Sequence, residues 1–597
     1  MAFPKARMGL TCQPSLEPLT AKDPLPPLWL SLWVPLLALA WLIPNHYYPW
    51  ATFHTDAWVA TMLALAAAAV IVRTRQGTQW HGLSVLVAFL ALTPFLQYGA
   101  GLLFFSGQAW VSSAYMVGLL LALLAGARWE SCTPERAADG LFFAIGIAAV
   151  ASVGMQLRQW LGMSVSADVM QIWAEEFSPG RPSANLGQPN QLATLLLWGM
   201  LACVWGMARR KIRGCTATLA AVYLLFGIVL TQSRIASVAV LVLTVAAWMW
   251  RRWLPQRAPW VVTLLLFYFV ACTLSLQTLS NWIGLDIQIR SASLGGESTH
   301  LRVQAYSLFF DAVRHQPWWG YGWNQLAVAQ ISVAQNHPSL ASFFMHSHNL
   351  FLDLVLWCGI PIGALVSSYT VLWLVRSLFR VSNLEDAVLV LFVVVVGLHA
   401  MVELPLHHAY FLLPTGLVMG MLNQRLHFHV VWTSRRWVLM GLWLGASVLL
   451  GTIMRDYFQV DASARTLRLD AAHIGRQPPG LPPDVWILND MRESIRYARL
   501  AVEPNISADE LIRLRKVAYI SATPNNLFNV AKALAYRQQP EEARAWIQKM
   551  QKVQPDGFDQ DLRKIWENQA QTQPAMAAVQ WPEFEPRGLG PQNTNVR

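Results

Sequence analysis

The feature that most constrains this chain is a succession of apolar stretches, each close to the length that crosses a lipid bilayer. Thirteen follow one another, at about 28–44, 57–72, 82–97, 109–127, 138–157, 191–208, 215–231, 235–250, 259–279, 349–374, 386–402, 408–423 and 437–454. About 20 apolar residues in a helix cross the hydrocarbon core. Inside that core every backbone N–H and C=O must be satisfied by the chain itself, which favours helices. The pattern predicts an all-α fold, a polytopic membrane helix bundle of about 13 spans.

Charge sorts the chain into regions. The first 455 residues hold 26 of the 44 basic and 16 of the 33 acidic side chains, and with them ten units of the formal net charge of +11. Residues 456–597 are rich in both signs and nearly neutral. This predicts a cytoplasmic N-terminal segment over 1–27, a transmembrane domain over 28–455 with a large loop at about 280–348, and a soluble α-helical domain over 456–597. No secretory signal is expected, because the first apolar run begins only near Leu28 and others follow it.

The basic residues alternate between connectors. The N-terminus and the loops near 73, 128, 209, 251, 376 and 425–436 hold 19 Lys and Arg, against 6 in the intervening loops. By the positive-inside rule the N-terminus is cytoplasmic, and an odd number of spans puts the tail outside. Arg209-Arg210-Lys211-Ile212-Arg213 then reads as a topology anchor, and the basic excess needs no nucleic acid. None of the six cysteines falls in an outer loop or in the tail, so no structural disulfide is expected. The chain has no CxxC, no zinc-type His/Cys spacing and no GxxxxGK[ST], which disfavours a metal site or a nucleotide-driven pump.

The two longest outer loops, about 158–190 and 280–348, hold most of the remaining unusual residues. Arg181-Pro182-Ser183-Ala184-Asn185-Leu186-Gly187-Gln188-Pro189-Asn190-Gln191 leads into a span, where its guanidinium and amides can bind phosphate or sugar, or simply cap the helix. Thr231-Gln232-Ser233-Arg234 joins two spans too tightly to hide its charge, so Arg234 either contacts an anion or snorkels to headgroups. Arg302 begins a predicted helical stretch with apolar spacing at Val303, Leu308, Phe309 and Val313. Trp318-Trp319-Gly320-Tyr321-Gly322-Trp323 can stack on sugar or lie at the interface.

Met345-His346-Ser347-His348-Asn349 stands at the mouth of a span, where a histidine is suited to accept a proton near neutral pH or is merely solvated. Asp353, one turn on, is placed to orient a histidine or to face another helix. His399 and Glu403 share a helix face, and an orienting hydrogen bond fits them better than a metal. In the tail, Leu527–Arg537 and Pro540–Val553 read as two helices joined by Gln538-Gln539, packed through Ala531, Ala533, Leu534, Ala543 and Ile547. They look like a single tetratricopeptide (TPR-like) pair. Asp559-Gln560-Asp561 reads as a solvated charge pair, Pro478–Pro483 as a linker, and the end after about Gln580 as disordered.

Taken in order, Arg181 with Gly187-Gln188-Pro189-Asn190, Ser233-Arg234, Arg302, Pro317 with Gly320-Tyr321-Gly322, His346-Ser347-His348-Asn349-Leu350-Phe351-Leu352-Asp353 with Gly359, and Glu403-Leu404-Pro405-Leu406 resemble the O-antigen ligase and polymerase superfamily. They are most similar to its bacterial O-linked oligosaccharyltransferases, the protein glycosylation ligases, over roughly residues 25–425. The resemblance implies en bloc transfer of a preassembled glycan from undecaprenyl-pyrophosphate to Ser or Thr of periplasmic proteins such as pilin, at a bacterial inner membrane. His348 would activate the acceptor hydroxyl. Arg234 and Arg302 would hold the pyrophosphate, Arg181, Gln188 and Asn190 would shape the site, and His346, Asn349 and Glu403 would support it. Neither a metal nor a cofactor is implied, since guanidinium groups can neutralise a pyrophosphate leaving group. Two alternatives stay open: an O-antigen ligase or polymerase with a glycan or lipid A acceptor, and a lipid or polysaccharide transporter. A transporter predicts polar residues spread through mid-membrane positions, whereas here they gather at one face.

Overall fold

A computed structural model describes residues 27–73, 77–162, 181–285, 297–474, 481–554 and 558–583. The expected segment before residue 27, much of the loop at 158–190, part of the loop at 280–348, the first half of Pro478–Pro483 and the chain end lie outside these residues.

All thirteen apolar stretches form helices: α1 (Pro27–Ala38), α2 (Phe53–Arg73), α3 (Gly82–Gly99), α4 (Ser106–Cys132), α5 (Arg136–Trp160), α6 (Pro189–Ala208), α7 (Gly214–Thr231), α8 (Arg234–Met249), α9 (Ala258–Trp282), then α12 (Leu350–Arg380), α13 (Leu384–Ala400), α14 (Ala409–Arg425) and α15 (Arg436–Ala471). Between α9 and α12 lie α10 (Glu297–His315) and α11 (Leu326–Val333). Among the described residues nine helices are long and apolar enough to cross a membrane; α1, α8, α13 and α14 are shorter, at 12 to 17 residues. The chain is a multi-pass membrane protein. Its tightest seam joins α4 to α14, where a methyl group on Gly126 or Gly420 would strike the Leu417 or Leu123 carbonyl. Small residues at such a seam let two backbones close without help from the hydrophobic effect.

The connectors that carry most of the positive charge meet at one end of the bundle. Strand β1 (Thr78–His81) pairs antiparallel with β2 (Val430–Ser434), Thr78 opposite Ser434. Nearby, Arg425 bonds Glu130 at 2.8 Å and Asp386 at 2.6 Å, and Arg209 pairs with Asp139 and Glu135. Loops predicted to lie on the same side of the membrane are therefore together in space. The other end gathers the predicted outer loops.

The change in composition at Arg455 falls inside α15, one helix of 36 residues. At its junction with the tail, the buried Asp456 carboxylate accepts from the N–H groups of Trp486, Ile487 and Leu488 at 2.6–3.2 Å. The tail continues as α16 (Asn489–Ala498), α17 (Ala508–Ile520), α18 (Pro524–Tyr536), α19 (Pro540–Val553) and α20 (Phe558–Ala570). The predicted pair corresponds to α18 and α19, and its five predicted packing residues are all fully buried. Asp559 is no solvated partner of Asp561: its Oδ1 accepts from Gln551 and Trp581 and ties α20 to α19.

The loop between α9 and α12 corrects two expectations. The helix of Arg302 begins at Glu297, so Arg302 lies in its second turn, and Val303 is exposed while Ala305, Leu308, Phe309 and Ala312 form the buried face. The aromatic segment is strapped along α12. The Tyr321 and Gly322 N–H groups donate to the Leu356 and Trp357 carbonyls at 2.8 and 3.1 Å, and the Ile360 N–H donates to the Pro317 carbonyl at 2.7 Å. Gly359, at φ +78°, breaks α12 to allow this, and a side chain there would collide with the Trp318 carbonyl. Non-helical backbone beside a span is tolerated because neighbouring chain satisfies it.

Candidate active site

The site is built from four outer loops. The first is tethered from within the bundle: Gln159 of α5 accepts from the Ser183 and Ala184 N–H groups at 3.1 and 2.8 Å, and Gln156 donates to the Pro182 carbonyl at 3.2 Å. Buried amides are costly unless hydrogen-bonded, and here Gln159 Oε1 and Gln156 Nε2 direct bonds to the loop that starts at Arg181. Arg181 donates through Nε to the Thr231 carbonyl at 2.7 Å and through Nη2 to Asn190 Oδ1 at 3.0 Å. It therefore draws the turn preceding Arg234 against the start of α6. Arg234 itself is exposed at the first position of α8.

Glu403 is the hub. Its carboxylate accepts from Gln188 Nε2 at 2.7 Å and Asn190 Nδ2 at 2.5 Å, and it meets His399 Nε2 at 3.2 Å. Behind it, His399 Nδ1 lies 2.9 Å from Thr194 Oγ1, with both residues buried. The chain from the Thr231 carbonyl through Arg181, Asn190, Glu403 and His399 to Thr194 is continuous. Burial alone would push the Glu403 carboxyl up, but the His399 and Asn190 contacts and the nearby His348 outweigh it and hold it below the usual glutamate range. The site thus keeps a carboxylate charged in partly buried surroundings.

The histidine loop stands against this hub. Asn349 caps α12, its Oδ1 accepting from the Phe351 and Leu352 N–H groups at 3.1 Å, and its amide reaches the Met401 carbonyl two residues before Glu403. His348 has φ +61°, a conformation that turns the chain sharply into the helix. The His346 and His348 rings lie edge to face at 4.3 Å. Asp353 does not orient either imidazole: its Oδ1 accepts from the Ser347 N–H between them at 2.9 Å, and both Nδ1 atoms are buried without a hydrogen-bond partner. Its role is to fix the loop backbone. Burial holds the His348 imidazole below the usual histidine range, the Arg302 charge lowers it further, and Glu403 partly restores it. His346 is lowered by burial, by His348 and by Arg302. His348 is consequently neutral at physiological pH, with a cation and a carboxylate both within electrostatic reach.

Sequence reasoning overlooked Gln330. This fully buried residue of α11 donates to the Ser342 carbonyl at 2.8 Å and accepts from the Phe344 N–H at 2.9 Å, clamping the strand that leads into His346. The same strand is held by the tail, where the Leu340 N–H donates to the Lys552 carbonyl at 3.2 Å and Ser339 Oγ to the Gln551 carbonyl at 3.1 Å. The arrangement offers a neutral base, a fixed carboxylate and cationic groups at one mouth of a membrane bundle. No group of three or more His, Cys, Asp or Glu suited to a metal exists among the described residues.

Three protein families match the chain in succession: protein glycosylation ligase over residues 182–205, O-antigen ligase over 219–367, and virulence factor membrane-bound polymerase, C-terminal, over 387–565. Over these segments the chain is similar to the O-antigen ligase superfamily. It is 28% identical over 569 residues to a general O-oligosaccharyltransferase of Acinetobacter baylyi, covering 90% of this chain and 94% of that protein. It is also 27% identical over 339 residues to a ComP-specific O-oligosaccharyltransferase of the same organism, covering 56% of this chain and 60% of that one. The three matched segments contain the candidate-site residues except Arg181 and the two tethering glutamines of α5, Gln156 and Gln159.

Proposed function

We propose that the protein is an O-oligosaccharyltransferase, a metal-independent glycosyltransferase that moves a preassembled glycan from a lipid pyrophosphate to a hydroxyl of an acceptor protein. The observation that supports this reading is the docking of the histidine loop beside Glu403 at one end of a membrane bundle, where Asn349 reaches the Met401 carbonyl and the Arg302 and Glu403 charges act on His348 in opposite directions. His348 takes the proton of the acceptor Ser or Thr hydroxyl as its oxygen attacks the anomeric carbon. The bond from that carbon to the pyrophosphate oxygen breaks, its electron pair leaving with the lipid pyrophosphate. Glu403 stabilises the imidazolium that forms, and Arg302 and Arg234 neutralise the departing anion. Arg181, Gln188 and Asn190 hold Glu403 and the loop geometry; His346 and Asn349 complete the histidine loop.

The donor in this reading is an undecaprenyl-pyrophosphate-linked glycan, and the acceptor a periplasmic protein, with a pilin as one example. The enzyme sits in a bacterial inner membrane with its N-terminus cytoplasmic and its tail in the periplasm. The positive-inside count supports that orientation. Purified protein supplied with lipid-linked glycan and offered a pilin and lipid A side by side tests the assignment. Transfer to the protein acceptor is expected. Glycan appearing only on lipid A would replace the reading with that of an O-antigen ligase.

A further inference from the structure

The loop that carries Arg302 presents an apolar face to the outside. On α10, Val303, Ser307, Phe310 and Arg314 are exposed and spaced four, three and four apart, which places them in one stripe of the helix. The opposite stripe is buried with Tyr321, Phe344 and Leu354, and also with Leu90 of spanning helix α3. The helix therefore packs against the spans. Val303 is 63% and Phe310 56% exposed, and beyond the helix Trp318 and Trp319 are 69% and 70% exposed. Because the Pro317 carbonyl is bonded to the Ile360 N–H, the tryptophan pair is fixed at the level of Gly359 and Ile360 on α12. About 20 residues cross the hydrocarbon core, so counting back from Arg376 puts the other boundary near residue 356. The pair thus lies within a turn or two of the interface. Ile360 and Leu365, exposed on the same span, continue the apolar surface downward.

We propose that Val303, Phe310, Trp318 and Trp319 form a membrane-inserted face, seated at the boundary of headgroups and acyl chains in the leaflet where the site opens. The occupant is the lipid surface itself, because the face is continuous with the lipid-facing side of α12. Arg314 extends the stripe with a charge suited to headgroup phosphate, and tryptophan favours this layer. α10 then behaves as an interfacial helix inside a catalytic loop. Its second turn holds Arg302 at headgroup depth, the level at which a lipid-linked pyrophosphate lies.

A fluorescent unnatural amino acid at position 310 of the full chain tests this in vesicles of phosphatidylethanolamine and phosphatidylglycerol, with or without brominated acyl chains. The same probe at Leu365 and at exposed Ile565 in the tail supplies lipid-facing and aqueous references. The expected result is roughly half or more of the bromine quenching seen at 365, with little quenching by aqueous iodide. Quenching like that at 565 overturns the proposal. So does shielding from iodide that appears only on adding acceptor protein, which would make the face a protein-docking surface. A probe at 319 repeats the measurement should the first variant fail to fold. The readout is lipid contact, so it stands apart from whether the enzyme transfers glycan to protein.

Discussion

Asn190 and Glu403, 213 residues apart in the chain, are joined side chain to side chain by a 2.5 Å hydrogen bond. One stands in the first turn of α6, just after the loop of Arg181, the other lies three residues beyond α13, and the histidine loop reaches the same corner through Asn349 and Met401. The bond therefore ties the start of α6 to the corner where the histidine loop docks.

Loss of the proposed base, His348, is the first consequence to measure. His348→Ala should lower the transfer rate by about 10²–10⁴-fold, the usual contribution of a positioned base. Binding of the lipid donor should be retained. Full transfer by this variant, with a defined donor and acceptor, would remove His348 from the mechanism.

The two charges facing His348 should displace its pH profile in opposite directions. Only the neutral imidazole can accept a proton, so the rate rises with pH through the pKa of His348. Arg302 lowers that pKa and Glu403 raises it. Arg302→Gln should move the rising limb to higher pH, and Glu403→Gln should move it to lower pH while also cutting the plateau rate by roughly tenfold or more, about 1.4 kcal/mol. Rate profiles from pH 4 to 9 decide it, and shifts of the same sign in both variants would refute the arrangement.

Much of this site was legible in the sequence, and the limits of that reading are physical. Cations are scarce in the predicted outer loops, so Arg181, Arg234 and Arg302 stood out, and His346, His348 and Glu403 lay at span mouths where a polar group needs a reason. The pairing between them was not legible. Hydrogen bonds between residues 213 apart leave no periodic trace in one sequence. Gln159, Thr194 and Gln330 look like ordinary polar residues in apolar helices until their partners are seen. The tryptophan segment read as interfacial or sugar-binding, because nothing in its residues announces that Gly359, some 40 positions later, opens a helix to receive it.

Gln330 gives a third prediction. Gln330→Ala removes both hydrogen bonds that hold the strand before His346, leaving Ser342 and Phe344 with unpaired backbone groups at about 1–3 kcal/mol. We expect kcat to fall about tenfold with the KM for the acceptor unchanged. Gln330→Glu, which keeps the acceptor for the Phe344 N–H, should recover part of the loss. A change confined to KM would show that the clamp shapes acceptor binding instead.

Gly359→Ala should be the more damaging change to the fold. The left-handed φ alone costs roughly 1–3 kcal/mol for a residue with a side chain, and the added methyl meets the Trp318 carbonyl. The thermal midpoint in detergent should drop by several degrees. An unchanged midpoint would mean that α12 can close its break without the strap.

The unbroken course of α15 carries a metrical consequence. In an α-helix each residue advances the chain by about 1.5 Å and turns it by about 100°. The last membrane span and the tail therefore share one screw, and residues added or removed along it cannot be absorbed locally as they would be in a loop. A single insertion near Arg455 would turn α18 and α19 by about 100° about the axis of α15 and carry the Gln551 and Lys552 carbonyls away from Ser339 and Leu340. The length of one helix thus sets the gauge to which the histidine loop is built.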